Sequence, residues 1–176
     1  MRAPLRLVII LLAPLPLAAC GLQPLYSAGA KGPVAKLLAD VRVAQIEGQT
    51  GWLVRNALRD RLVASQGGEG SGNGYRLDIR LEDSITGFGV RADDSITRER
   101  RALRARYQLV ELASGQVVLD ATAASDAGID VVSSEFATIA AEQSAQERLA
   151  QAVADQIVAR LAVFAQRRSG DATPPR

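Results

Sequence analysis

Along residues 75–82 apolar and polar side chains alternate: Leu77, Ile79 and Leu81 fall on one face, Arg76, Asp78, Arg80 and Glu82 on the other. A period of two is what a strand with one buried face requires. The same period returns from about Thr97 to Leu112, where Leu103, Ala105, Tyr107 and Leu109 point one way and Arg100, Arg104, Arg106 and Gln108 the other. It returns once more at Val117, Leu119, Ala121 and Ala123, after the turn residues Ser114 and Gly115. These three strands predict an antiparallel meander. Val41 to Ile46 predicts a short strand before them, ended by Gly48 and Gly51.

Elsewhere the period lengthens. Val54, Leu58 and Leu62 recur every four residues with Arg55, Arg59 and Arg61 off that stripe, which predicts an amphipathic helix over 52–65. A second, long helix is predicted from about Ser134 to Gln166. Ser134 stands at its N-cap, Ile139, Leu149, Val153, Ile157, Leu161 and Phe164 form its stripe, and Glu142, Gln146, Asp155 and Arg160 fall off it. Residues 67–74 are a glycine-rich loop without the Lys and Ser/Thr that a phosphate cradle needs. Ile85 to Val90 is apolar but broken by glycines. It either continues the preceding strand or forms a protruding loop, with Phe88 wedged outward or folded back on the core. The order strand, helix, three strands, helix predicts an α+β fold. The expected architecture is a two-layer sandwich, a sheet of about four strands with two helices packed on one face and the polar face open.

The N-terminus has a different organisation. Arg2 and Arg6 precede the apolar run Leu7 to Ala13, and small residues Ala18 and Ala19 lead into Cys20. That layout predicts a secretory signal over 1–19 and not a spanning helix, because the run is short and Pro14 and Pro16 interrupt it. Residues 20–40 are expected to form a tether, 41–166 a single domain and 167–176 a disordered tail. Cys20 is the single cysteine, so the expected mature chain has no intramolecular disulfide. There is no histidine, which removes the usual general base for Ser or Cys nucleophiles and most zinc ligand sets. The net charge of +2 comes from 21 basic and 19 acidic residues. Loss of Arg2 and Arg6 with the signal leaves 19 against 19, so the precursor's pI near 9.0 implies nothing about nucleic acid. The basic residues are nonetheless clustered: Arg91, Arg98, Arg100, Arg101, Arg104 and Arg106 lie against Asp93, Asp94 and Glu99.

Leu17-Ala18-Ala19-Cys20 resembles a lipobox, which implies acylation at Cys20 and an essentially permanent membrane anchor at ~0.8 kcal/mol per buried methylene. In Gram-negative sorting an aspartate after the cysteine resembles an inner-membrane retention signal; Gly21 stands there instead, which favours the outer membrane. Cys20-Gly21-Leu22-Gln23-Pro24-Leu25-Tyr26 is similar to the opening of the LPS-assembly lipoprotein family, LptE. Three further segments resemble that family in the same order: Arg106-Tyr107-Gln108-Leu109, the Ser114-Gly115 hairpin, and the helix running from Ser133 to Phe164. The resemblance implies a non-enzymatic outer-membrane lipoprotein without cofactor. It implies that the domain plugs the LptD β-barrel and helps deliver lipopolysaccharide to the cell surface, from the periplasmic face.

Lipopolysaccharide carries phosphates and carboxylates beside its acyl chains, and the planar guanidinium holds such oxygens bidentately. Arg80, Arg100, Arg104 and Arg106 are therefore expected to line the open sheet face or its edge and contact the glycolipid head group or polar groups of a barrel lumen, with Phe88 against the barrel wall. The competing expectation is a solvated face whose arginines pair across strands with Asp78 and Glu82. Two other classes stay open: an auxiliary periplasmic lipoprotein of an ABC-type lipid transporter, and a lipid-anchored hydrolase using Asp93 with Asp94 or Asp126 with Asp130.

Overall fold

The computed structural model describes residues 32–64, 74–90, 96–132 and 134–171. The expected signal segment, Cys20, the motif at 20–26, most of the glycine-rich loop, Arg91, Asp93, Asp94 and residues 172–176 lie outside the described residues. The elements are α1 (Pro33–Ala39), β1 (Val41–Val43), α2 (Gly48–Ala64), β2 (Tyr75–Val90), β3 (Ile96–Glu111), β4 (Val117–Asp130) and α3 (Glu135–Asp171). The four strands form one sheet in the order β1-β2-β3-β4. β1 runs parallel to β2, and β2, β3 and β4 form the expected antiparallel meander. The architecture is α+β, with the helices packed against one face of the four-stranded sheet.

Burial follows the alternation. Leu77, Leu103, Ala105, Tyr107 and Leu109 are buried on the helix side, and Val54, Leu58 and Leu62 of α2 meet them. α3 supplies Leu149, Val153, Ile157 and Leu161, with Ala150, Ala154 and Ala162 beside them. Those small side chains let the helix approach the sheet and α2 closely. α3 is 37 residues long, about 55 Å at 1.5 Å per residue, which matches the ~50 Å of the 16-residue strands it crosses.

Four boundaries depart from the sequence reading. Residues 33–39, read as the last part of a tether, form α1, which starts with Pro33 in its first turn and buries Val34, Ala35 and Leu38. Seven residues carry too few repeats for a period to register; the core on α3 decides that helix. β1 spans three residues and not six, while β4 runs on to Asp130. α3 passes Gln166 because Arg168 ties the last turns to the sheet. Its guanidinium donates to the Tyr75 hydroxyl at 2.9 Å and to Glu111 at 2.8 Å, and it lies over the Phe164 and Tyr75 rings.

The long outer edge of β4 is partly closed. The Gln156 carboxamide of α3 accepts from the Ala124 N–H at 3.3 Å and donates to its carbonyl at 3.1 Å, where a fifth strand would otherwise bond.

Candidate functional site

Two devices in the sequence create the open face. Alternation sends the even-numbered residues of β2, β3 and most of β4 away from the helices, and among the described residues no helix packs on that side. Seven arginines stand there, Arg42, Arg76, Arg80, Arg98, Arg100, Arg104 and Arg106, against five acids, Asp78, Glu82, Asp120, Asp126 and Asp130. The acids neutralise part of that charge, so the positive potential is local.

The pairing is specific. Arg98 donates to Asp130 at 3.0 Å, Arg100 to Asp126 at 3.1 Å and Arg106 to Asp120 at 3.1 Å, so β3 arginines bond to β4 acids, its hydrogen-bonded neighbour. Asp78 bonds to Arg76 of its own strand, and not to β3. The cross-strand pairs expected with Asp78 and Glu82 are replaced in this way. Arg106, then Gln108 at 2.9 Å, hold the Asp120 carboxyl below the usual carboxylate range. Arg80 and Arg104 have no bonding partner among the described residues. Arg80 stands opposite Arg106 in register, a repulsive pairing of like charges, and Arg104 opposite Glu82.

Arg80 and Arg106 also share a concavity of about 490 Å³ with Ala44, Gln45, Asp78, Ile79 and Gln108. It exists because β1 stops early. After the Ala44 N–H bonds to the Leu77 carbonyl at 3.0 Å, the chain turns into α2 and leaves the β2 edge uncovered. An exposed guanidinium without a carboxylate partner is free to take an oxyanion in bidentate fashion. Arg80, Arg104 and Arg106 are brought together; Arg100 lies nearer the far end of the sheet, committed to Asp126. Of the acids considered for catalysis, Asp126 and Asp130 each bond to an arginine.

That far end, where β2 and β4 finish and α3 begins, is apolar. Ile85–Val90 continues β2, as one of the two readings held, and Phe88 stands on the open face opposite Arg98, 46% exposed and not folded onto the core. Ile85, Val132, Phe136 and Ile139 are exposed at the same end, Phe136 to 83%. Ile139, expected on the buried stripe, is thus corrected: the sheet beneath the first turns of α3 is too narrow to cover it.

Sequence reasoning missed a polar cluster on the helix side. Gln146, placed off the stripe, is 7% exposed, because it sits three residues before Leu149 and seven before Val153. Its amide donates to the Thr50 hydroxyl at 2.5 Å, and that hydroxyl donates to Asp83 at 2.7 Å. Arg101 grips the same carboxylate at 2.7 and 2.9 Å and donates to the Glu142 carbonyl at 3.3 Å. The helical spacing of Gln146 was the available signal.

Comparison with known proteins agrees with this architecture. The model of the LptE family, described as lipopolysaccharide-assembly, matches residues 38–161. A lipoprotein of Caulobacter crescentus CB15 is similar in structure, with a TM-score of 0.60 and 25% identity over 78% of this chain and 98% of that one. Rare lipoprotein B of Shewanella oneidensis shares the fold, with a TM-score of 0.56 and 10% identity over 73% and 96%. Lipoprotein B of Nitrosomonas europaea does so too, with a TM-score of 0.58 and 10% identity over 77% and 90%. The comparison with curated proteins found no match. Sheet, helices and family model agree, and the chain belongs to the LptE family of lipopolysaccharide-assembly lipoproteins.

Proposed function

We propose that this protein is an outer-membrane lipoprotein, acylated at Cys20, that mates with the LptD β-barrel and helps deliver lipopolysaccharide to the cell surface. It works without catalysis or cofactor. The observation that carries this reading is the open sheet face of a lipopolysaccharide-assembly family member, on which Arg80 and Arg104 stand beside Arg106 without a bonding partner among the described residues. Glycolipid phosphates exchange water for guanidinium there, and charge-assisted bonds of this kind contribute about 1.5–3 kcal/mol each. Arg100 and Arg106 already hold carboxylates, so a phosphate must compete with Asp126 and Asp120. Exposed ion pairs of this kind are screened by solvent and stabilise little, which makes the exchange feasible. Phe88 and the apolar end supply contact with the barrel wall.

Affinity purification from detergent-solubilised envelopes tests the partner. A one-to-one complex with a large outer-membrane barrel is expected. Co-purification with inner-membrane transport components would instead select the auxiliary of an ABC-type lipid transporter, and an unmodified residue 20 in mass spectrometry would remove the anchor. A form lacking residues 1–20 tests the face: Arg80→Ala with Arg104→Ala should weaken lipopolysaccharide binding roughly tenfold or more and flatten its salt dependence. Unchanged affinity and salt dependence would rule out the arginine face.

A further inference from the structure

The first ten residues of α3, Glu135–Ser144, contain no buried residue, whereas every turn from Ala145 to Ala165 contributes at least one. The helix is continuous, yet its packing begins abruptly. The polar cluster lies at this boundary. Gln146 bonds to Thr50 in the first turns of α2, Thr50 to Asp83 of β2, and Arg101 of β3 joins Asp83 to the Glu142 carbonyl. Arg101 and Asp83 keep only 12% and 21% of their side chains exposed, in a layer otherwise closed by apolar groups. One residue before Ala145, the Ser144 hydroxyl donates back to the Ala140 carbonyl at 2.9 Å, a bond that weakens and bends helices locally.

We propose that Glu135–Ser144 is a hinged arm of α3, held against the end of the sheet through the Arg101 bond to the Glu142 carbonyl, which the clasp of Asp83, Thr50 and Gln146 braces from the packed side of the boundary, and able to lift while the rest of the helix stays packed. Lifting gives up little apolar burial on the arm itself, since Phe136 and Ile139 are already exposed. It uncovers the inner face of the sheet end, where Ile129 is 3% exposed and Ala127 half-buried. It also rehydrates Glu99, opposite Ile129, one of whose carboxylate oxygens is enclosed without a hydrogen-bond partner. An enclosed, unbonded oxygen opposes the closed state, and the clasp favours it. The pair gives the arm a low-lying open form that presents an apolar strip beside Ile85, Phe136 and Ile139.

Hydrogen–deuterium exchange of the full chain measures this directly, without any partner. Amides of 138–143 should exchange at least roughly tenfold faster than those of 149–162, as sub-global opening requires. Asp83→Asn, which weakens the hold on Arg101, and, separately, the near-isosteric Thr50→Val, which removes the bonds to Asp83 and from Gln146, should each raise arm exchange by roughly a further tenfold, with 149–162 unchanged. Three results would overturn the proposal: arm amides protected as strongly as the body, arm exchange indifferent to both substitutions, or an equal rise along the whole helix.

Discussion

Asp83 brings a negative charge onto the helix-covered side of the sheet, where the Arg101 guanidinium holds its carboxyl below the usual carboxylate range, assisted by the Thr50 hydroxyl and opposed by burial. Arg61 holds Asp155 low in the same way, where α2 meets α3. Both folded values lie beneath the unfolded one, about 3.9 for aspartate. Their stabilisation is therefore complete above that value and disappears as pH falls through the lower folded values. The urea midpoint should hold steady from pH 7 to about 5 and decline below about 4. Asp83→Asn should lower the midpoint at pH 7 and make the acid decline shallower; a decline as steep as the parent's would show that Asp83 is not one of the groups responsible. By contrast Arg100 and Arg106 are fully exposed, and their pairs with Asp126 and Asp120 organise the open face more than they stabilise it.

At the scale of elements, α2 is placed by a close approach. A Cβ at Gly51 would lie 2.8 Å from the Ile46 carbonyl oxygen and 2.9 Å from its carbonyl carbon, both backbone atoms of the link that follows β1. Gly51→Ala would gain about 1 kcal/mol in helix propensity, yet the overlap costs about 1–3 kcal/mol because backbone cannot move aside as a side chain can. The expected result is a net loss of stability, read as a lower melting temperature, with helix content by circular dichroism unchanged; a rise in melting temperature would mean that the link yields freely. At the other turn, Gly115 with φ +69 lets the β3–β4 connection close, and the Ser114 hydroxyl bonds Glu111 at 2.7 Å. The hairpin was legible in the sequence for this reason: the dipeptide carries its own geometry. β1 was legible in the alternation from Val41, though not its short length, whereas α1 was not, since seven residues carry too little periodicity and the helix exists because α3 receives it.

Taken whole, the molecule has a thick end and a thin one. Leu38 of α1, Leu58 of α2, Leu77, Leu109 and Leu161 are fully buried in a single cluster, while the last turns of sheet and helix toward Val90 and Glu135 carry few buried groups. Leu161→Ala should cost about 2–5 kcal/mol in that core. The loss should appear in one urea transition with an unchanged slope, since α1, α2 and α3 share the cluster; a separate, earlier transition for α1 and α2 would mean that they form a core of their own. The same gradient leaves Phe88, Phe136 and Ile139 exposed at the thin end.

The periods of two and four by themselves determined the meander, the two long helices and the outward direction of Arg80, Arg100, Arg104 and Arg106, because each is set by the geometry of one element and the demand that its apolar face be buried. Only the tertiary structure decided which of those arginines stay unpaired. That depends on the register of β3 against β4, which places Asp120, Asp126 and Asp130 within reach of Arg106, Arg100 and Arg98 but sets Ala124 opposite Arg104, and on that of β2 against β3, which sets Arg80 opposite Arg106; among the described residues neither Arg80 nor Arg104 bonds to a carboxylate. The cluster of Thr50, Asp83, Arg101 and the buried Gln146 belongs to the same class: its members are up to 96 residues apart in sequence, and packing of two helices on one sheet brings them together.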